Sequence, residues 1–475
     1  MTRLQEIPWV EKVGLNGLDE QTQQRLQSPG RLNLYRLAWL RPLIESQWPQ
    51  FLVRMLTLAS FVFIIAGGLF GSLVGSHNIA IIFVWIAWWT ALKLVFIPFG
   101  GRSWCSICPI PLPGDWLQQG GILQTGPRRF GLNLRWPKRL RGSWMQSGAF
   151  LMIGLFSAVT LTDPQVTGWV LLALFGLAIG LSLVFEKRAF CTYLCPIGGF
   201  SGMYAQTSPV EVRIIDKEIC IKHEVKSCYQ ACPWGVYPVA FRDNSACGMC
   251  MECLRACPSD NLALNIRPFG TDLVKPKTSI RLDETFLALV MLGSVVTFAA
   301  VFTGPWGWLK SAAFEIGSLP WFGYASAYLA INLLLLPAIF TAAVWAGQKF
   351  TGSWVSLKRH IATQAQVLIP LGLMAWIAFT VSFALPKLNL VLGVLNDPLG
   401  WGWHLLGVNK FGGMGNMAGI STLIQVVLLL VGLFWSLSVS GKLPVNSESK
   451  PPRLNIPVSS FSLIFTLAML WILVG

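Results

Sequence analysis

Nine apolar runs are spread along this chain, and each is long enough to cross the roughly 30 Å hydrocarbon core of a bilayer. Charged residues make up only 12% of the sequence, against about 25% in soluble domains. The pattern predicts an all-α polytopic membrane protein. The runs lie near residues 55–75, 78–99, 144–162, 166–186, 286–304, 323–346, 366–385, 418–440 and 457–475, with a weaker tenth candidate at 388–405.

The distribution of Lys and Arg orients these spans, because positively charged loops stay in the cytoplasm. Residues 100–143, between the second and third runs, carry seven basic residues against the single acidic Asp115. We therefore predict an N-in, C-out arrangement with a retained amino terminus, since the first fifty residues lack the apolar core of a signal peptide.

The net charge of +15 fits anionic lipid headgroups, and no nucleic-acid motif is visible. Lys93 is the one clear charge within a span, close enough to its cytoplasmic end to snorkel.

All eleven cysteines then fall on the cytoplasmic side, where thiols stay reduced and metal binding is the default interpretation. The run CGMCMECLRACP has the C-x2-C-x2-C-x3-C-P spacing of a bacterial ferredoxin, whose closely spaced thiolates reach one iron–sulfur cluster while the last ligates its neighbour. A weaker copy precedes it and ends in Cys232-Pro233. The two copies predict an inserted α+β ferredoxin domain over residues 200–275.

The ferredoxin pattern also predicts which cysteines share a cluster. One 4Fe-4S cluster is complete, with Cys247, Cys250, Cys253 and Cys232 as ligands. The other has three cysteines and a histidine at the place of the fourth, namely Cys220, Cys228, Cys257 and His223. Imidazole is a known iron ligand in such proteins. The alternative is that His223 is a solvated loop residue, and that the site holds a 3Fe-4S cluster or an outside ligand.

An internal repeat supplies the remaining cysteines. Arg102-Ser-Trp-Cys105-Ser-Ile-Cys108-Pro109 matches Arg188-Ala-Phe-Cys191-Thr-Tyr-Leu-Cys195-Pro196, and each stretch follows a hairpin of two predicted spans. The duplicated hairpin predicts that Cys105, Cys108, Cys191 and Cys195 meet in one four-thiolate site for a third cluster. Arg102 and Arg188 would offset its negative charge. Structural zinc and a dithiol redox couple are the alternatives.

The stretches RSWCSICPI, RAFCTYLCPIGG, CPWGVYP and CGMCMECLRACP resemble the membrane-bound polyferredoxins of the NapH/NosR type, and the related copper-reductase-like CcoG group carries similar loops. The resemblance covers about residues 50–275. It implies a multi-pass protein of a prokaryotic cytoplasmic (inner) membrane that transfers electrons in connection with quinol oxidation and with respiratory reductases for nitrate or nitrous oxide. The first loop departs from the family in having one residue fewer between its cysteines.

We therefore expect four segments: a cytoplasmic amino-terminal segment (1–50), two membrane hairpins each followed by a Cys-Pro loop (51–199), the ferredoxin domain (200–275), and a membrane domain of about five helices (276–475). The expected function is to relay electrons between the quinone pool, or a cytoplasmic donor, and a respiratory reductase, as a component of a quinol dehydrogenase. A quinone site near His360 is one candidate. The alternatives are a maturation factor that reduces copper and a transporter with a regulatory ferredoxin domain.

Overall fold

The computed structural model describes residues 31–119, 130–222, 225–275, 280–352, 355–407, 418–443 and 455–475. Within these ranges eight helices are long and apolar enough to cross a membrane. The prediction of a helical membrane protein with a small α+β domain is confirmed, whereas the number of crossings and their orientation stay predictions. The eight helices are Trp48–Phe70, Ile79–Gly100, Pro164–Val184, Leu282–Phe302, Leu319–Phe350, Leu357–Asn396, Gly419–Ser440 and Ile456–Val474.

Two predicted runs differ from these helices. The run at 144–162 forms a shorter helix, Trp144–Leu155, followed by Ser157–Thr160. It ends there because the Asp163 carboxylate caps the next helix, accepting hydrogen bonds from the backbone N–H groups of Gln165 and Val166. The candidate at 388–405 continues the helix Leu357–Asn396 beyond a 3-10 turn at Leu385–Lys387.

Several shorter elements connect the long helices. The second long helix contains two π-helical stretches, Ile82–Trp88 and Leu92–Phe96, a distortion that is frequent at functional sites. Other short helices include Arg41–Glu45, Ser103–Ile107, Leu112–Gln119, Pro196–Tyr204 and Gly307–Phe314.

The turns between the first helices lie at the end of the bundle away from the cysteines. The Ser72 N–H donates to the Leu399 carbonyl at 2.7 Å, and the Ile79 N–H donates to the Pro398 carbonyl at 3.1 Å. The helices Ile79–Gly100 and Pro164–Val184 both run from this end toward a cysteine loop. The two loops of the repeat therefore emerge at the same end of the bundle.

The ferredoxin domain is built on a three-stranded antiparallel sheet. Its strands are β1 (Leu32–Asn33), β2 (Val210–Ile214) and β3 (Leu262–Ile266), in the order β1-β3-β2. Three short helices carry Cys220, Cys228 and Cys253: Lys217–Lys222, Ser227–Ala231 and Glu252–Ala256. Tyr35 and Ile44 lie in the core of this domain. The segment before the first long helix is thus part of the sheet and core, which the sequence did not predict.

The two halves of the bundle share one core. Trp376 of the carboxyl-terminal half contacts Phe150, Phe200 and Phe298, with ring centroids 6.1, 5.6 and 5.5 Å away. Phe200 belongs to the helix Pro196–Tyr204, which begins directly after Cys195. The carboxyl-terminal helices therefore reach the cysteine loops of the first half.

Candidate functional site

The two cysteine loops of the repeat have matching backbones. Each begins at a residue with a positive φ, Gly101 at 61° and Lys187 at 59°. Each ends at a cysteine in an extended conformation, with φ and ψ of −59° and 128° at Cys108 and of −60° and 118° at Cys195. Proline disfavours the helical region for the residue before it, which explains why both loops turn at Cys-Pro.

A π turn absorbs the one-residue difference between the loops. Cys105 lies in the short α-helix Ser103–Ile107. Cys191 lies instead in the π turn Phe190–Leu194, which the Cys195 N–H closes by donating to the Phe190 carbonyl at 2.8 Å. A π turn holds one residue more than an α turn. The first loop has one residue fewer between its cysteines than the family pattern, yet the two loops keep matching backbones at both ends.

The structure brings the four loop cysteines together. Burial, and then the neighbouring Cys105 and Cys195 thiols, raise the pKa of Cys108. Burial, then Cys195, Cys108 and Cys105, raise that of Cys191. The Cys195 sulfur also accepts a hydrogen bond from the Gly198 N–H at 3.3 Å. Closely packed thiols disfavour one another's ionisation when no cation is near. A bound cationic centre would stabilise the thiolate form of all four and so allow each to act as a ligand.

The two arginines of the repeat are both buried but have different hydrogen-bond and ion-pair partners. Arg188 forms an ion pair with Asp115, with Nε 2.9 Å from Oδ2, and its Nη1 donates to the Cys105 carbonyl at 2.8 Å. Arg102 donates from Nη1 to the Ser245 carbonyl at 2.7 Å, while its Nε and Nη2 have no hydrogen-bond partner in the described part of the chain. Asp115, which sequence reasoning missed, thus compensates Arg188, and Arg102 remains the cation available to an anionic centre.

The predicted ligands of the all-cysteine ferredoxin cluster also meet. Burial raises the pKa of Cys253 first, and Cys247, Cys250 and Cys232 raise it further. Met249 and Met251, between these cysteines, have positive φ values of 52° and 62°. Left-handed residues in a tight loop turn successive backbone N–H groups toward a common centre, as in other anion-binding loops.

The second ferredoxin site joins three of its four predicted ligands. Burial, then Cys257 and Cys228, raise the pKa of Cys220 to about 11. Asn261 lies between two of them: its side-chain amide donates to the Cys220 sulfur at 3.2 Å and its backbone N–H to the Cys257 sulfur at 3.4 Å. His223 lies outside the described residues.

A buried network of ion pairs lies next to the loop that begins at Cys247. Arg267 pairs with Glu211 at 2.7 Å and with Asp272 at 2.5 Å, and all three side chains are fully buried. Asp272 also accepts a hydrogen bond from the Asn244 N–H at 3.0 Å. The Asn244 carbonyl in turn accepts from the Cys247 N–H at 3.2 Å. The network therefore fixes the start of the cysteine loop.

An apolar cavity adjoins the loop site. Its lining includes the four loop cysteines, a set of tryptophans from both halves of the bundle, and Phe298. Trp88 and Trp104 lie side by side in this wall, with ring centroids 5.1 Å apart. Neither indole N–H has a partner in the described part of the chain. The cavity thus offers two buried hydrogen-bond donors in an otherwise apolar space.

One sequence expectation about the membrane region needs revision. Lys93 does not snorkel: it is 1% exposed, and its ammonium group lies 4.9 and 5.0 Å from the ring centroids of Trp89 and Trp376. Trp89 belongs to the same helix as Lys93, whereas Trp376 comes from a distant helix, a contribution that hydropathy cannot register. His360 is buried and does not line the cavity beside the loop cysteines. A quinone site beside His360 stays a prediction.

Comparison with known proteins identifies the class. A profile of the 4Fe-4S binding domain family matches residues 81–133 and 167–213. These two segments are the two copies of the repeat, each including the end of a long helix and its cysteine loop. The chain is therefore an iron–sulfur membrane protein with a 4Fe-4S binding domain.

Its relatives are ferredoxin-type proteins. It is 30% identical over 156 residues to the methylamine utilization ferredoxin-type protein MauN of Methylorubrum extorquens and 27% identical over 156 residues to MauN of Paracoccus denitrificans. It is 27% identical over 152 residues to the ferredoxin-type protein NapH of Haemophilus influenzae. These matches cover 30% of the chain, which spans about half the length of each relative. No solved structure is significantly similar. The predicted resemblance to NapH-type proteins is confirmed.

Proposed function

We propose that this protein transfers electrons between a quinone-type carrier in the membrane cavity and a redox partner of the ferredoxin domain, a respiratory reductase or its electron carrier. The carrying observation is that the four loop cysteines line the apolar cavity, while one of them, Cys105, also packs against Cys232 and Cys250 of the ferredoxin domain. A bound 4Fe-4S cluster accepts and releases single electrons. The protein's own contribution is to hold such centres, exclude water and position the carrier.

The loop cysteines suit a cluster better than zinc or a dithiol couple. The family profile covers both loops, and Cys195 already accepts a backbone hydrogen bond at its sulfur. Among the described residues no group of three or more His, Cys, Asp or Glu is arranged to hold a single metal ion. A tetrahedral zinc would draw four sulfurs to about 2.3 Å from one atom, whereas a cubane spreads its ligands over four irons. The choice of a cluster therefore rests on the family profile.

The ferredoxin domain would hold two further clusters, one on Cys247, Cys250, Cys253 and Cys232, and one on Cys220, Cys228 and Cys257 with His223 or an outside ligand. The N–H groups of Asn261 and the positive φ values at Met249 and Met251 support this assignment. The domain would face the cytoplasm, as the basic loops favour.

The cavity suits the headgroup of a quinone. Quinone oxygens accept hydrogen bonds, and the unpartnered indole N–H groups of Trp88 and Trp104 can donate them. A site of this kind, apolar with a few polar groups that orient the ligand, is typical of small-molecule sites. The indole donors lie in the same wall as the loop cysteines, so the carrier would bind beside the first centre.

Iron counting tests the loop centre. Replacing Cys105 or Cys195 by Ala should lower iron by about four atoms per protein and leave the ferredoxin signals in electron paramagnetic resonance unchanged. A zinc site would lose zinc and keep iron, and a dithiol couple would keep both metals. Wild-type iron in both variants would therefore refute the loop cluster.

Reduction of the clusters by a soluble quinol tests the cavity. Trp88→Phe and Trp104→Phe keep an aromatic ring and remove one donor, so each should weaken quinol binding by about 1 kcal/mol, or roughly fivefold. Trp321→Phe is the matched control, because its buried indole N–H is also unpartnered but it does not line the cavity. Equal quinol affinity in all three variants would exclude this site.

A further inference from the structure

Trp234 lies where the loop site meets the ferredoxin domain. It follows Cys232-Pro233 directly, is 5% exposed, and packs in one buried cluster with Cys105, Cys232 and Cys250. Cys105 belongs to the loop site, whereas Cys232 and Cys250 belong to the all-cysteine ferredoxin site. One indole ring therefore contacts ligands of two predicted centres.

The surroundings of Trp234 fix its ring in place. The Arg188 guanidinium lies 4.6 Å from the ring centroid and the Arg102 guanidinium lies 5.9 Å away. A Cβ added at Gly248 would overlap the ring, so the glycine of the C-G-M-C loop is what lets the indole lie against the backbone.

The two repeat arginines also bind the backbone beside the ferredoxin cysteines. The Arg188 N–H donates to the Pro233 carbonyl at 2.9 Å, and Arg102 binds the Ser245 carbonyl at 2.7 Å. Each loop of the repeat is thereby attached to the ferredoxin domain on either side of Trp234.

We propose that Trp234 is the positioning residue through which one electron passes between the loop site and the site of Cys232, Cys247, Cys250 and Cys253. The proposal rests on the proposed function. No bond forms or breaks in this step: one site loses an electron and the other gains it. The ring excludes water between the two sites and packs against both. Arg102, whose Nε and Nη2 have no hydrogen-bond partner in the described part of the chain, offsets negative charge there.

The test compares Trp234→Phe and Trp234→Leu with the wild type in the full-length protein. Trp321→Leu is the control, since Trp321 is a buried tryptophan 8% exposed that contacts none of these cysteines. After fast photochemical reduction, the rate at which the electron equilibrates between the centres is followed by absorbance. Iron content and the magnetic interaction between the reduced centres are measured on the same samples.

We expect the rate to fall in the order Trp, Phe, Leu, by roughly tenfold or more in Trp234→Leu, because an offset of about 1 Å between reacting groups costs up to about 100-fold. Iron content, magnetic interaction and the Trp321→Leu rate should stay at wild-type values. Equal rates in the three proteins would overturn the proposal. If Trp234→Leu loses iron, Trp234→Phe decides: a slower rate with full iron supports the role, and a wild-type rate refutes it.

Failure of the proposed function looks different from failure of this inference. If the Cys105→Ala and Cys195→Ala variants keep wild-type iron, there is no loop cluster, and both proposals fall together. If those variants lose iron but the rate of electron equilibration is the same with and without Trp234, the loop cluster is supported and only the role of the indole is wrong.

Discussion

Asp272 holds together the buried ion network beneath the Cys247 loop, and replacing it by Asn tests how strongly the network stabilises the ferredoxin domain. The side chain is 1% exposed and pairs with Arg267, while its Oδ2 lies 3.6 Å from Arg213. Asp272→Asn would leave Glu211 as the remaining buried anion beside Arg31, Arg213 and Arg267. The backbone N–H of Asn244 would also lose a charged acceptor.

Two independent estimates give the size of the effect. Burial alone would raise the pKa of Asp272, but Arg267 and then Arg213 lower it to about 2. Against the ordinary value of about 3.9, this shift corresponds to about 2.5 kcal/mol. Removing one partner of a buried ion pair typically costs about 3–5 kcal/mol. We therefore expect Asp272→Asn to destabilise the domain by about 2.5–5 kcal/mol.

The same shift predicts a pH dependence. The folded-state pKa is lower than the unfolded-state value, so the carboxylate stabilises the domain fully above about pH 4. This contribution is lost as the pH falls through about 2, where the folded carboxyl is protonated. Asp272→Asn should remove this part of the acid sensitivity, because the amide does not titrate.

Hydrogen exchange, measured by mass spectrometry in detergent, reports the stability of individual segments of the domain. In Asp272→Asn the amides of β2 and β3 should exchange roughly 70- to 5000-fold faster, the ratio that corresponds to about 2.5–5 kcal/mol. Asp260→Asn is the matched control, because its ion pair with Arg41 is exposed and is worth only about 0–1 kcal/mol. If both variants exchange alike, the network does not stabilise the domain as argued.

Three further predictions concern the sites and the topology. Cys250→Ala should remove one ferredoxin cluster and Cys228→Ala the other, so identical electron paramagnetic resonance spectra would contradict the ligand pairing. Gly248→Ala should lower stability by about 1–3 kcal/mol through overpacking, seen as loss of cluster absorbance at a lower temperature; an unchanged midpoint would refute the close contact. Cysteines introduced as Phe130→Cys and Gly475→Cys should react with an impermeant reagent from the cytoplasmic and outer sides, respectively, and the reverse pattern would invert the topology.

Cysteine spacing predicted most of the candidate site because it encodes local geometry. Residues three or four positions apart on one loop must lie close together, and the Cys-Pro endings set the same extended backbone at each fourth ligand. The grouping of Cys105 with Cys191 required only that the duplicated hairpins pack side by side. In the described residues the cysteines of each predicted group lie close enough to raise one another's pKa. Their assignment as ligands stays a prediction, and His223 lies outside the described residues.

The rest of the site depends on contacts between distant segments, which leave no local pattern. Asp115 is an ordinary acidic residue in the sequence until the fold places it against Arg188. Strand β1 has only two residues, too few for the alternation that reveals a strand. Lys93 lies near the end of its span along the chain, yet its burial comes from Trp376, nearly three hundred residues later.

The absence of cysteine from the carboxyl-terminal half has a physical explanation in the cavity. Trp376 and Phe298 come from that half and line the same space as the loop cysteines. In the proposed route, a carrier that dissolves in the membrane would reach the loop site through apolar walls, whereas the ferredoxin sites would need a polar domain that a partner protein can approach. Contacts run from the loop site through Trp234 to Cys232, whose N–H bonds the carbonyl of Cys228 in the last site at 3.2 Å. The helices without cysteines would therefore serve the membrane end of this route, and the ferredoxin domain its other end.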